Sequence, residues 1–336
     1  MALKLTVVDQ SPVQGIPNNV SPVALTVDLA RHCDRLGYHR YWLAEHHNSV
    51  NFAGPCPEIL ISHIASVTER IRVGSGGVML SHYSPYKVAE QFSMLETLFP
   101  GRIDLGIGRA PGGDAMASRA LAYPAPPGLE NYAEQAQLLQ GLLNNTLPDN
   151  HTYKALQVMP GQPAIPQTWM LASGSGSTGL AGQLGMKMTL ALFISPDPAP
   201  ASVIAEYKQA WRDAGHAGNP EASIAIAALC ADSREEAEYH AAPAVYWKVK
   251  AFSQGVREVV KAPAEALRLK DQLSPTEQDF FDAILNSMVL GTADECAEKI
   301  QCLADQYQTD EVGVVTVTHD YQYRLRSYER LAEALI

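Results

Sequence analysis

Residues 71–107 read IRVGSGGVMLSHYSPYKVAEQFSMLETLFPGRIDLGI, and the fold follows from how that stretch divides. Ile71 and Val73 begin a strand that turns glycine-rich before Leu80. Ser84 suits a helix N-cap and Pro85 its first turn, where a missing N–H costs nothing. Val88, Phe92, Leu95 and Phe99 then recur at helical spacing on one face. Pro100-Gly101 stops the helix, and Ile103, Leu105 and Ile107 resume as a strand.

The same rhythm runs outward in both directions. Upstream, the alternation from Met1 to Asp9 gives a first strand. Ser21-Pro22 opens a helix carrying Leu25, Leu29, Cys33 and Leu36, and Gly37 ends it. Tyr38 to Ala44 form a second strand, and Ile59, Leu60, His63, Ile64 and Val67 a helical stripe. Downstream, strands are expected at Thr168–Ala172, Met188–Ile194, Ser223–Cys230 and Glu311–Thr318. Helices are expected at Asn131–Leu143, Leu180–Leu184, Ser202–Ala214, Thr292–Tyr307 and Tyr321–Leu335. Most strands are continuous apolar runs, as a parallel sheet covered on both faces requires. About eight such units predict an α/β fold, a closed (β/α)8 TIM barrel in one domain spanning residues 1–336. Residues 146–166, rich in Pro, Gly and Asn, and a helical stretch at 232–290 read as insertions after strands 4 and 7.

Composition narrows the function classes. The chain has 336 residues, 46% of them apolar and 18% charged, enough to build a large core. A net charge of -11 repels phosphate backbones and anionic lipids, so nucleic acid and membrane are not expected partners. The cysteines at 33, 56, 230, 296 and 302 show no metal or redox spacing and suit a reducing compartment. With no basic-then-apolar leader at Met1, a cytoplasmic location is expected.

In a barrel of this kind the chemistry sits at the C-terminal ends of the strands. Strand two ends in Glu45-His46-His47-Asn48, which places groups able to move a proton near neutral pH at that rim. Strand three ends in Gly74-Ser75-Gly76-Gly77, where missing side chains mean either a bulge or a close approach by a flat ring. Strand four ends in Gly108-Arg109, whose guanidinium can hold a phosphate or serve the structure. Strand five ends in Ser173-Gly174-Ser175-Gly176-Ser177-Thr178, whose hydroxyls and backbone N–H groups can cradle a phosphate ahead of a helix. Gly291-Thr292 is a rival cradle, and residue patterns alone do not choose between the two. Together these ends suit a planar, phosphorylated cofactor with an acid–base group beside it.

Tyr41-Trp42-Leu43-Ala44-Glu45-His46-His47, Val73 to Leu80, Ala89-Glu90-Gln91 and Leu98 to Gly112 together resemble the bacterial luciferase-like flavin monooxygenases. The likeness is specific over residues 1–115, weaker at Leu171–Gly185 and Leu290–Thr292, and favours the short single-gene, alkanal-monooxygenase-like members. It implies that reduced FMN, or alternatively a deazaflavin, is the cofactor and that dioxygen and a small, aldehyde-like organic molecule are the substrates. It implies that Glu45 and His46 line the flavin site, with His46 managing a proton and His47 a second candidate. Gly76 and Gly77 would face the flavin ring, often across a non-proline cis peptide. Arg109 would hold the phosphate with Ser173, Gly174 and Ser177. The light-emitting members carry a carboxylate where Ser173 stands, which bears on the phosphate contacts, and a cysteine where Gly108 stands, which implies no dependence on a thiol here. No NAD(P)H motif is visible, which favours a separate NAD(P)H–flavin reductase as partner. A homodimer is also implied, with Tyr86, Phe92 and Leu95 as interface candidates.

Two other readings share the fold. One is a non-catalytic flavin-binding protein. The other is a metal-dependent hydrolase using Glu45, His46, His82, His319 and Asp320, although strand one lacks the usual paired histidines and offers Lys4, Thr6 and Val8.

Overall fold

The computed structural model describes residues 3–13, 20–124, 128–161 and 164–336, apart from the side chain of Leu129. Met1, expected in the first strand, and part of the 146–166 excursion lie outside the described residues. The strands are β1 (Lys4–Asp9), β2 (Arg40–Leu43), β3 (Arg72–Met79), β4 (Ile103–Gly108), β5 (Gln167–Ala172), β6 (Lys187–Ala191), β7 (Ala222–Cys230), β8 (Val289–Gly291) and β9 (Glu311–Val315). The helices are α1 (Pro22–Leu36), α2 (Pro57–Ser66), α3 (Pro85–Leu98), α4 (Ala115–Ala122), α5 (Tyr132–Leu143), α6 (Thr178–Gln183), α7 (Ser202–Asp213), α8 (Arg234–Gln254), α9 (Pro263–Lys270), α10 (Pro275–Ser287), α11 (Ala293–Gln306) and α12 (Tyr321–Leu335).

Every strand pairing is parallel, and the ring runs β1-β2-β3-β4-β5-β6-β7-β9 before closing on β1. This is the expected (β/α)8 barrel. The chain departs from the sequence reading at β8, which pairs with the C-terminal part of β7 outside the ring and ends the second insertion. That insertion contributes α8, α9 and α10, which bury Val245, Val249, Phe281 and Ile284 against one another above the barrel mouth. Strand six is also shorter than expected. It stops at Ala191, and both Leu192 and Phe193 donate their N–H to the Ala225 carbonyl, so the chain turns there.

Local signals act largely as read. Gly37 closes α1 at φ 92°, a left-handed conformation open to glycine. Ser21 and Ser84 occupy the N-cap positions, but neither side chain makes the cap bond. Phe92 and Leu95 of α3 are buried in the barrel core, so they cannot supply a dimer surface.

The lower half of the barrel interior is charged. Asp104, fully buried, accepts from Arg40 Nη1 at 2.8 Å, Trp42 Nε1 at 2.9 Å and Arg72 Nη2 at 2.7 Å. Arg40 Nε reaches Glu311 at 2.8 Å, and Thr6 donates to the same oxygen. Above this floor Val8, Trp42, Trp169, Ala225 and Val315 form an apolar layer. Removing Asp104 leaves Arg72 without its carboxylate and Arg40 with Glu311 alone, in a low dielectric. Asp104→Ala is therefore expected to lower the unfolding free energy by about 3–5 kcal/mol. A thermal melt that moves by less than a degree would contradict this account of the floor.

Candidate active site

The upper rim gathers the ends of β1 to β7. Between Ser75 and Val78 the register of β3 against β4 shifts by one residue, so Gly76 and Gly77 form a bulge, and the peptide between them is cis. Ser75 Oγ donates to the Gly106 carbonyl at 2.8 Å and accepts from its N–H at 3.1 Å, which satisfies backbone that the bulge leaves unpaired. The neighbouring strand explains several of these glycines. A Cβ at Gly74 would lie 2.4 Å from the Asp104 carbonyl, and one at Gly77 would lie 2.8 Å from that of Gly106. Backbone crowding between β3 and β4 thus excludes side chains there, independently of any bound ring.

Beside the bulge lies a cavity of about 400 Å³. Gly76, Gly77, Arg109, Ser173, Gly174 and Ser177, which come from β3, β4 and the turn after β5, all line it. Val8, Leu171, Ala172, Ala191 and Ala225 give it an apolar middle. Arg109 stands at the open end, its guanidinium nitrogens 3.7 and 3.9 Å from where a Gly176 Cβ would sit. It is exposed and has no hydrogen bond or ion pair among the described residues. An unpaired planar cation over a turn of small residues is able to receive a phosphate. The helix after that turn, α6, has only six residues, so its dipole adds little to what the hydroxyls, backbone and Arg109 offer an anion. The rival cradle is closed. Glu295 folds back to accept from Thr292 N at 2.8 Å, placing a carboxylate where an anion would bind.

A second, mostly apolar cavity of about 210 Å³ adjoins the first, and Phe193 and Ile194 line both. Its barrel side presents Gln10, His46 and Phe52, and its roof is Trp247, Lys248 and Phe252 of α8. His46 stacks on Phe52 with ring centroids 4.5 Å apart, and its Nε2 lies 2.8 Å from Gln10 Oε1. The Gln10 amide oxygen and the Gly112 backbone both face the ring as hydrogen-bond acceptors. Burial, reinforced by His47 and Arg257, holds the His46 imidazole down at about 4, so it is neutral at pH 7.

Glu45 and His47 do something different from what their sequence position suggests. Neither lines either cavity. Glu45 is fully buried, accepting from His47 Nε2 at 2.6 Å, Tyr83 Oη at 3.1 Å and Met79 N at 3.0 Å. Met79 follows the glycine bulge, so this carboxylate fixes the exit of β3 from behind the cavity wall. The Tyr83 phenol is pushed well up by burial and by Glu45, and it stays protonated as a donor. Among the described residues no three His, Cys, Asp or Glu side chains converge as a metal site. Of the hydrolase ligands considered above, Glu45 is taken by His47, and Asp320 caps α12 through Gln322 N.

Sequence reasoning missed Gln10, Phe193 and Ile194. All three follow strand ends, so the rule that singled out Arg109 could have found them. Trp247 and Lys248 had no such signal, because nothing in an insertion says which helix face meets the barrel.

A model of luciferase-like monooxygenases matches residues 3–309. The chain belongs to the luciferase-like monooxygenase family. Among its relatives, the Bacillus subtilis protein YwcH is 41% identical over 99% of both chains. The N-acetyl-S-alkylcysteine monooxygenase of the same organism is 34% identical, with 99% of this chain and 98% of the relative covered. The solved structure of apo-MsnO8 superimposes with a TM-score of 0.84 at 35% identity over 99% of each chain. Among the described residues of this luciferase-like chain, no helix is long and apolar enough to cross a membrane.

Proposed function

We propose that this protein is a flavin-dependent monooxygenase that uses reduced FMN and dioxygen to oxygenate a small organic molecule. The observation that carries the reading is the pair of adjoining cavities: one fits a phosphorylated planar cofactor, and the other is apolar with one neutral histidine on its wall. Reduced flavin supplies the electrons that activate dioxygen when it is bound. The chain's own residues bind, orient and keep water out. Arg109, Ser173, Gly174 and Ser177 hold the phosphate end, and the Gly76-Gly77 bulge offers bare backbone to the ring. Glu45 and His47 hold that bulge in place through Met79 N. Phe193 and Ile194 bring the two chambers into contact. His46, neutral at pH 7, receives a proton on its unprotonated ring nitrogen and returns it, while Gln10 holds the ring in place.

In this reading the protein works in the cytoplasm on flavin reduced by a separate NAD(P)H–flavin reductase. A homodimer is supported by exposed apolar side chains on consecutive helices, Val23 of α1, Ile59 of α2 and Met94 and Leu98 of α3. An anaerobic titration of the purified protein with oxidised and then reduced FMN tests the cofactor assignment. Saturable binding that favours the reduced form is the expected result. Binding of a deazaflavin with no response to either form of FMN would overturn it.

A further inference from the structure

Lys248 is the one basic side chain of the apolar cavity, among otherwise apolar, aromatic and neutral polar walls and His46. It projects from α8 of the second insertion, partly buried, and its ammonium donates to the Phe193 carbonyl and lies 6.0 Å from the Phe193 ring. No carboxylate pairs with it among the described residues, and the residues outside that set include no Asp or Glu. A cation taken out of water without a counter-charge is costly, and one backbone carbonyl satisfies a single proton of the three it carries. An ammonium on the cavity wall with no counter-charge is placed to meet an anion that enters.

We propose that Lys248 is the specificity-determining residue of the apolar cavity and that the substrate there is a small aliphatic or aromatic monocarboxylate. The carboxylate meets Lys248 at the roof. The apolar body lies along Phe52, Val315 and Val317, which brings it past Phe193 and Ile194 toward the neighbouring chamber. This assignment rests on the reading of that chamber as the flavin site, because the shared wall is what makes the apolar cavity a substrate site. Burial lowers the Lys248 ammonium to about 8, which leaves it mostly charged at pH 7. The protein as a whole carries a net charge of -11, so a local cation matters for admitting an anion.

The test is equilibrium binding by isothermal titration calorimetry on the full chain without flavin, so that it does not depend on the cofactor. Linear carboxylates of about four to ten carbons are compared with their primary amides, which match them in shape but lack the charge. At least one carboxylate is expected to bind about 10- to 100-fold more tightly than its amide, the worth of a charge-assisted hydrogen bond. Lys248→Met and Lys248→Gln are expected to remove that preference while leaving amide affinity and FMN affinity unchanged. If no carboxylate in the series outbinds its amide, or if both variants weaken acid and amide equally, Lys248 is a tether for Phe193 and the proposal fails. A failed FMN titration beside an intact carboxylate preference would instead point to the flavin assignment alone.

Discussion

His46→Ala is expected to cut substrate oxygenation about 100- to 10,000-fold, the range a positioned acid–base group contributes, while FMN affinity stays close to that of the parent protein. The separation follows from geometry. His46 lies on the wall of the apolar cavity, whereas the phosphate and ring contacts belong to β3, β4 and the turn after β5. A variant that turns over normally, or one that loses FMN binding in step with turnover, would remove His46 from the role assigned to it. The imidazole also links folding to pH. Its folded-state value of about 4 is below the ordinary 6.5, so the unfolded chain binds the proton more readily. The stability contributed by neutral His46 is complete above pH 6.5 and is lost as the pH falls from there toward 4. Chemical denaturation at pH 7 and pH 5 should show a smaller drop for His46→Gln than for the parent.

Arg109→Met is expected to weaken FMN binding about 10- to 100-fold and to leave riboflavin binding unchanged. Riboflavin has the same ring and ribityl chain without the phosphate, so the pair isolates the group that Arg109 is argued to hold. The guanidinium is exposed and pairs with no carboxylate among the described residues, so removing it leaves no buried charge behind and the fold should tolerate the change. Raising the salt concentration should weaken FMN binding in the parent and have less effect in the variant. Equal losses for FMN and riboflavin would mean that Arg109 shapes the cavity instead of binding phosphate.

The stretch from Ile71 to Ile107 contains the logic of the whole barrel, because hydrophobic spacing, a helix start and a glycine stop are local properties. They depend on which groups a short segment must bury and which backbone N–H groups it must satisfy. For the same reason the residues at strand ends could be found in advance. The barrel carries every strand end to one rim, so Gly76, Gly77, Arg109, Ser173, Gly174 and Ser177 meet at a single cavity although they span about a hundred positions of sequence.

Glu45 was visible as a residue at that rim, but its direction was not. Whether a side chain at a strand exit points into the cavity or behind it depends on the next turn of backbone. Here that turn sends His46 to Phe52 and Gln10, and Glu45 to the Met79 amide. Gly74 reads as part of a bulge or as room for a flat ring, yet the closeness of two strands requires it, a distance that only pairing sets. Gly291-Thr292 looked like a phosphate cradle until Glu295 was seen to fill it.

By itself, then, the sequence determined the barrel, its order and the rim positions where chemistry is possible, because each rests on local periodicity and on one topological rule. Only the tertiary structure decided which rim groups face the cavities and which support them. It alone set Phe193 and Ile194 between two chambers and brought Lys248 of a distant insertion over the second, because those contacts join segments whose separation no local pattern records.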